Sequence, residues 1–248
     1  MRKEDLIQDL SVFGVRYAKL LTNRISLDDL AELKKKYSYL YICAFENPGD
    51  PELSCAVQKT LILDLTLGSE KLFSGFNDTC RKHIRRAQKN SLLEIRILDN
   101  DFNGSYALYK NIKSMEGAKP DIRREFKNCI FFNAYYKGNM IVTASFDDNG
   151  EIIRAKHIAS TRKLMGEESK IVAHANRLIN WEVCKWGHAN GRKVFDLAGI
   201  TDDPAKAGIR TFKESFGGMP SEIYRLRYET PIFTIIKKAI NFIGYNIL

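Results

Sequence analysis

The chain has 248 residues, 44% of them apolar, which is enough for one large or two small domains with a sizeable core. No apolar run has bilayer-spanning length, the N-terminal MRKEDLIQDL lacks a signal-peptide core, and the five cysteines (Cys43, Cys55, Cys80, Cys129, Cys184) show no CxxC spacing, so a cytoplasmic protein with reduced thiols and no bound metal is expected. Thirty-nine basic against 30 acidic residues leave a formal charge of +9, which suits an anionic partner or serves solubility alone.

Residues 3–12 are expected to form a short helix, followed by a strand over Val12–Thr22. Ser26 is a good N-cap for a helix over Leu27–Tyr37, whose leucines recur at helical spacing. Tyr39–Phe45 and Thr60–Leu65 read as strands, with a turn at Asn47–Pro51 between them. A single helix is expected from Ser69 to about Asn90, carrying the basic cluster Arg81–Lys89, and Leu92–Leu98 reads as a strand. Phe102–Met115 and Asp121–Lys127 are predicted helices. Three β-rich runs follow at Cys129–Tyr136, Met140–Phe146 and Ile152–Ser160, joined by the turn sequences Lys137-Gly138-Asn139 and Asp147–Gly150. A helix over about Val172–Ala189 is ended by Gly191, and Glu222–Tyr228 is the last predicted strand. Pro231–Leu248 reads as an amphipathic helix with Ile232, Ile235, Ile236, Ala239, Ile240 and Ile243 on one side. This order implies an α/β (α+β) fold with a weak internal repeat.

The stretch Lys193–Gly218 carries the strongest functional signal. A short apolar strand (Val194–Leu197) ends at Gly199, a polar loop follows, and a short helix bearing Phe212, Lys213 and Phe216 is stopped by Gly217-Gly218. Ligands collect at loops after the carboxyl ends of strands, which makes Lys213 a candidate.

The strand TLILDL followed by RKHIRRAQKN, the helix RLINWEVCKWGHANG, then KVFDLAGI and GIRTFKESFGG together resemble the Fem-like branch of the GNAT acyltransferase superfamily. That branch includes the peptidoglycan aminoacyltransferases and related N-acyltransferases of cell-envelope sugars. The resemblance covers roughly residues 60–228. It implies two packed GNAT-like halves, each a mixed, mainly antiparallel sheet flanked by helices: residues 1–100, residues 101–230 as the acyltransferase core, and residues 231–248 as a C-terminal helix. The chain lacks the long helical arm of enzymes that use aminoacyl-tRNA and is shorter than they are, which favours coenzyme A as the acyl carrier. The expected reaction is acyl transfer from acyl-CoA to the amine of a nucleotide-linked amino sugar for a surface polysaccharide, by direct attack. The alternatives are an aminoacyl-tRNA-dependent transferase acting on a peptidoglycan precursor and a non-catalytic module that holds a phosphorylated ligand.

Within that resemblance, the pyrophosphate loop falls on Arg162-Lys163-Leu164-Met165-Gly166, which has one residue too many between its Arg and its Gly and reads equally as an ordinary charged loop; Asn176 in the next helix is a further donor-binding candidate. Lys213 reads either as a cation for a substrate phosphate or oxyanion, or as a solvated lysine on a short helix. Arg85 and Arg86 read either as phosphate contacts at a cleft or as part of a solvated basic face. That face is not interleaved with aromatics, which argues against single-strand nucleic-acid binding, and no DNA partner is expected. His157, and secondarily His174, could take the amine's proton, and Asp196 could act as base or orient the amine; each also has a purely structural reading. The C-terminal helix could touch an anionic membrane surface, although packing on the domain is the preferred reading.

Overall fold

The computed structural model describes residues 5–161 and 165–242. It opens with strands β1 (Leu6–Val12) and β2 (Val15–Thr22), then α1 (Leu27–Lys36), β3 (Tyr39–Ala44) and β4 (Ser54–Asp64). Helices α2 (Ser69–Gly75) and α3 (Asp78–Gln88) lead to β5 (Leu93–Ile97) and α4 (Phe102–Met115). Strands β6 (Ile130–Tyr136), β7 (Asn139–Asp148) and β8 (Ile152–Ser160) precede α5 (Ser169–Ala189). The chain then runs through β9 (Val194–Gly199), α6 (Ala207–Glu214), β10 (Met219–Glu229) and α7 (Pro231–Phe242).

Several elements depart from the sequence reading for local reasons. Residues 6–12 are a strand and not a helix. Phe13 (φ 48°) and Gly14 (φ 77°) both adopt left-handed backbone and close a two-residue hairpin, whose ladder runs from Val12 opposite Val15 to Leu6 opposite Leu20. The expected long helix is broken in two at Phe76-Asn77. Asn77 caps α3 by accepting the Cys80 N–H at 2.8 Å, while Phe76 turns inward among Phe73, Trp181 and Phe216. Asp121–Lys127 contains only a 3-10 turn, Arg123–Phe126. In α7 the packed side is Phe233, Ile236 and Ile240, so Ile232 and Ile235 point outward, and Ile243 lies outside the described residues. Of the cysteines, Cys43, Cys80 and Cys184 are buried and Cys55 is exposed.

Among the described residues the strands form one continuous mixed sheet in the order β1-β2-β3-β10-β4-β9-β8-β7-β6-β5. The β2–β3 and β8–β9 pairs are parallel and the others antiparallel. The expected mainly antiparallel mixed sheet flanked by helices is thus present, running through both sequence halves: β10 lies between β3 and β4, and β5 pairs with β6. On one face α3 and α5 bury Leu61, Leu63, Phe132, Phe146 and Phe195, and α1 covers Leu20, Ile42 and Leu226. On the other face α4 covers Phe131 and Ala159, and α7 covers Tyr17 and Tyr39. A cleft on this second face is lined by residues of β2, β3, β8 and β10 together with Asp121. Among the described residues no helix is long and apolar enough to cross a membrane.

Candidate active site

The site forms where two parallel strands part. β8 and β9 pair only over Ile152–Arg154 and Val194–Asp196. Beyond that point β8 bulges at Lys156, since Ser145 pairs with His157 and the next residue, Phe146, pairs with Ala155. In β9, Ala198 takes a left-handed conformation (φ 60°). The fully buried Asp196 fixes this divergence: Thr60 Oγ1 and Arg154 Nη1 donate to its carboxylate, and the Ala198 N–H donates at 2.8 Å. Arg154 also donates from Nη2 to Gln58 Oε1 at 3.0 Å. Gln58 reaches there because residue 199 is glycine; a Cβ at that position would lie 2.2 Å from Gln58 Nε2. The Asp196 carboxylate is therefore occupied on both oxygens and faces no solvent.

Two cavities reach this point from opposite faces of the sheet. On the α5 and α6 side, a cavity of about 580 Å³ is lined by Ile158, Ser160, Val172, Asn176, Phe212 and Lys213. On the α4 and α7 side, the cleft holds a cavity of about 340 Å³, lined in part by Lys19, Tyr39, Arg154, His157, Arg225 and Arg227. Ala155, Lys156 and Ala198 line both, at the parting of the strands. A larger hollow of about 800 Å³ beside α4, lined by residues such as Phe102 and Phe131, includes none of these three.

Lys213 sits beside the junction. Its Nζ donates to the carbonyls of Ala198 at 3.1 Å and Gly199 at 2.7 Å. Burial, with Arg154 adding repulsion, pushes its pKa down to about 8. His157 lies on the cleft side with Nε2 2.9 Å from Asp121 Oδ2, its ring against Tyr109 and Phe126. Burial raises the Asp121 pKa, but the His157 hydrogen bond and charge, helped by Lys19 and Lys156, hold it below the usual carboxylate range. Lys156 donates to the Glu125 carbonyl at 2.6 Å and to Asp147 at 3.2 Å; burial lowers its pKa, but Asp147, Cys129 and Glu125 together keep it raised. Lys213, His157 and Asp196 thus gather around one point.

The remaining candidates are dispersed. Asn176 lines the α5 cavity and donates to Ser160 Oγ at 3.0 Å. Gly166 (φ 57°) opens the 3-10 turn that leads into α5, whereas Arg162 and Lys163 lie outside the described residues. Arg85 and Arg86 are exposed on α3 with Arg81, Lys82 and Lys89, Arg85 lying over the Phe73 ring, and they line neither cavity at the junction. His174 packs against His83 with ring centres 4.5 Å apart, and burial lowers its pKa to about 4. The sequence reading missed Arg154, Gln58, Asp121, Arg225 and Arg227. The two arginines alternate with Tyr224, Leu226 and Tyr228 in β10, a pattern that marks a strand with one charged face.

No protein-family model matches the chain, and no curated protein matches it by sequence. Solved structures do match. FemX is similar over 92% of this chain and 85% of its own, with a TM-score of 0.59 and 13% identity. The C-terminal domain (DUF2156) of a putative lysylphosphatidylglycerol synthetase from Agrobacterium fabrum is similar over 90% and 82%, with a TM-score of 0.58 and 8% identity. L-PGS from Bacillus licheniformis is similar over 96% and 86%, with a TM-score of 0.54 and 12% identity. At these identities the likeness shows the fold alone: the chain shares its fold with FemX and with these two synthetase structures.

Proposed function

We propose that the protein is an N-acyltransferase in which the acyl donor occupies the α5 and α6 cavity and the acceptor amine enters from the cleft. The observation that carries this reading is the meeting of two cavities at Ala155, Lys156 and Ala198, where parallel strands separate. Past Asp196, the edges of β8 and β9 that face each other lose their partners, which leaves backbone groups for an extended amide-bearing donor. The amine attacks the donor carbonyl directly, the C–N bond replaces the acyl–carrier bond, and the carrier leaves as its thiolate when it is coenzyme A, so no cysteine is required. Lys213, as a cation, stabilises the oxyanion, and His157, oriented by Asp121, takes the proton from the incoming ammonium. Asp196 is a positioning residue that holds Arg154 and the Ala198 turn.

Acyl-CoA is the proposed donor. The α5 N-terminus has no side-chain cap, so its first N–H groups suit a pyrophosphate, and Gly166 and Asn176 lie on the way to it. The acceptor we favour is the amine of a nucleotide-linked amino sugar, in keeping with the charge of +9. One observation favours a second reading, a donor carried on tRNA. The basic face of α3 packs beside α5, and Arg177, which lines the donor cavity, acts electrostatically on His83 of α3.

Thermal unfolding with coenzyme A at near-millimolar concentration tests the donor. An upward Tm shift that Asn176→Ala weakens is the expected result. No shift with coenzyme A, together with transfer from aminoacyl-tRNA that is lost when Arg85 and Arg86 are neutralised, would replace this reading with the second.

A further inference from the structure

The charges lining the cleft separate into paired and unpaired groups. Lys19 is bonded to Glu125, Arg154 to Asp196 and Lys156 to Asp147, while His157 Nε2 lies 2.9 Å from Asp121 Oδ2. The cations Lys19, Arg154 and Lys156 each have their own carboxylate, so none of these three is left over for a ligand. Arg225 and Arg227 differ. Among the described residues neither makes an ion pair, and both line the cleft. They stand two apart on β10, hence on the same face, opposite Cys43 and Tyr41 of β3. The Arg227 guanidinium lies 5.7 Å from the centre of the Tyr41 ring.

Among the described residues, two shielded polar atoms here, one on Arg225 itself and one on Tyr39, are also without partners. Arg225 Nε is shielded from solvent and has no acceptor. Tyr39, also lining the cleft, is 0% exposed, yet its hydroxyl has no hydrogen-bond partner. Shielded polar atoms without partners are uncommon in folded proteins, and these two converge on one cleft beside two uncompensated guanidinium groups. Guanidinium forks match the oxygens of phosphate and carboxylate groups, and a tyrosine hydroxyl adds a donor.

We infer that Arg225, Arg227 and Tyr39 form an anion-binding subsite that holds a phosphate or carboxylate group of the acceptor while its amine reaches the junction at Lys156 and Ala198. The inference rests on the assignment of the cleft to the acceptor, and it gives β10 the role of selecting acceptors that carry an anionic group. An amine without that group leaves Arg225 Nε and the Tyr39 hydroxyl unsatisfied and is discriminated against.

Calorimetric titration of the full chain with inorganic pyrophosphate and, separately, with glutarate, at matched ionic strength, tests the subsite and distinguishes its two ligand chemistries. At least one probe should bind. Arg225→Gln and Arg227→Gln should each weaken that binding about tenfold or more, as expected when a charge-assisted hydrogen bond is lost. Arg225→Lys, which keeps the charge but not the fork, should fall between. Tyr39→Phe should weaken binding while leaving Tm unchanged or higher, because the hydroxyl it removes has no partner. A double Arg85→Gln, Arg86→Gln variant should bind as the native chain does. Absence of binding by both probes overturns the inference, as does binding that survives in Arg225→Gln and Arg227→Gln or is lost only in the α3 variant. Arg227 is exposed, so Arg227→Gln remains informative if Arg225→Gln does not fold. The coenzyme A titration separates the two claims: anion binding with this variant pattern but no coenzyme A binding refutes the proposed donor and leaves the subsite standing.

Discussion

Asp196 and Lys213 lie a short distance apart and depend on burial in opposite ways. Asp196 is matched by Arg154 in a region that excludes water, and neither charge tolerates loss of the other. Asp196→Asn leaves the Arg154 guanidinium buried without its carboxylate and should cost about 3–5 kcal/mol in urea denaturation, the range for a broken buried pair. A loss below ~1 kcal/mol would mean that solvent already reaches the pair. Among the described residues Lys213 has no carboxylate partner, and its folded-state pKa of about 8 lies below the ordinary 10.5. Between those values the unfolded chain binds more protons than the folded one, so stability should rise as pH increases from about 8 to 10.5. The gain is at most about 3 kcal/mol at 1.36 kcal/mol per unit, and Lys213→Met should abolish it. Activity should move the other way. If Lys213 acts as a cation, kcat falls as pH rises through about 8, and this limb disappears in Lys213→Ala. A native rate that climbs through this range would instead make Lys213 a base.

At the scale of elements, the FGG stop that ends α6 is a packing device as much as a helix terminator. Gly217 (φ 63°) follows α6, and a Cβ there would sit 2.1 Å from the Gly75 carbonyl oxygen at the end of α2. The Asn77 N–H also donates to the Ser215 carbonyl at 2.9 Å, so the end of α6 is seated against the α2–α3 break. Gly217→Ala should cost about 2 kcal/mol or more from backbone strain and overlap, and should lower the Lys213-dependent rate by tilting α6. Gly208, inside α6, has nothing within 4 Å of a built Cβ. Gly208→Ala should therefore stabilise by about 0.5–1 kcal/mol. Equal effects of the two substitutions in thermal unfolding would remove the argument that Gly217 is fixed by its neighbour. The C-terminal helix illustrates the limits of a wheel drawn from sequence. Its isoleucines form a stripe, yet Phe233 inserts between Tyr17 and Tyr39, and that aromatic contact turns Ile232 and Ile235 outward.

Across the whole molecule, strand order ties distant sequence together. β10 completes the sheet between β3 and β4, and β9 lies between β4 and β8. β10, the last strand in the sequence, cannot leave without opening the middle of the sheet. Urea unfolding should therefore be one transition, coincident by far-UV circular dichroism and by fluorescence of Trp181 and Trp186, both on α5. Separated transitions would show that the halves proposed for residues 1–100 and 101–230 unfold independently.

The sequence by itself determined most elements and their types, because hydrophobic period, caps and turn glycines act within a few residues: Ser26 starts α1, α4 spans Phe102–Met115 as expected, and Lys137-Gly138 turns β6 into β7. It also marked the β9–α6 stretch and Lys213, since strand, loop, helix and glycine stop are consecutive. It did not place β1, whose helix-like charge pattern yields to the ladder that the Phe13-Gly14 turn makes available. Nor did it single out Arg154, Arg225 or Arg227. Arg154 and Asp196 are 42 residues apart in sequence. The cleft arginines differ from other surface arginines only because Lys19, Lys156 and Arg154 around them are paired with Glu125, Asp147 and Asp196. Which charges are paired and which are not is settled by long-range strand order, and only the tertiary structure decides that.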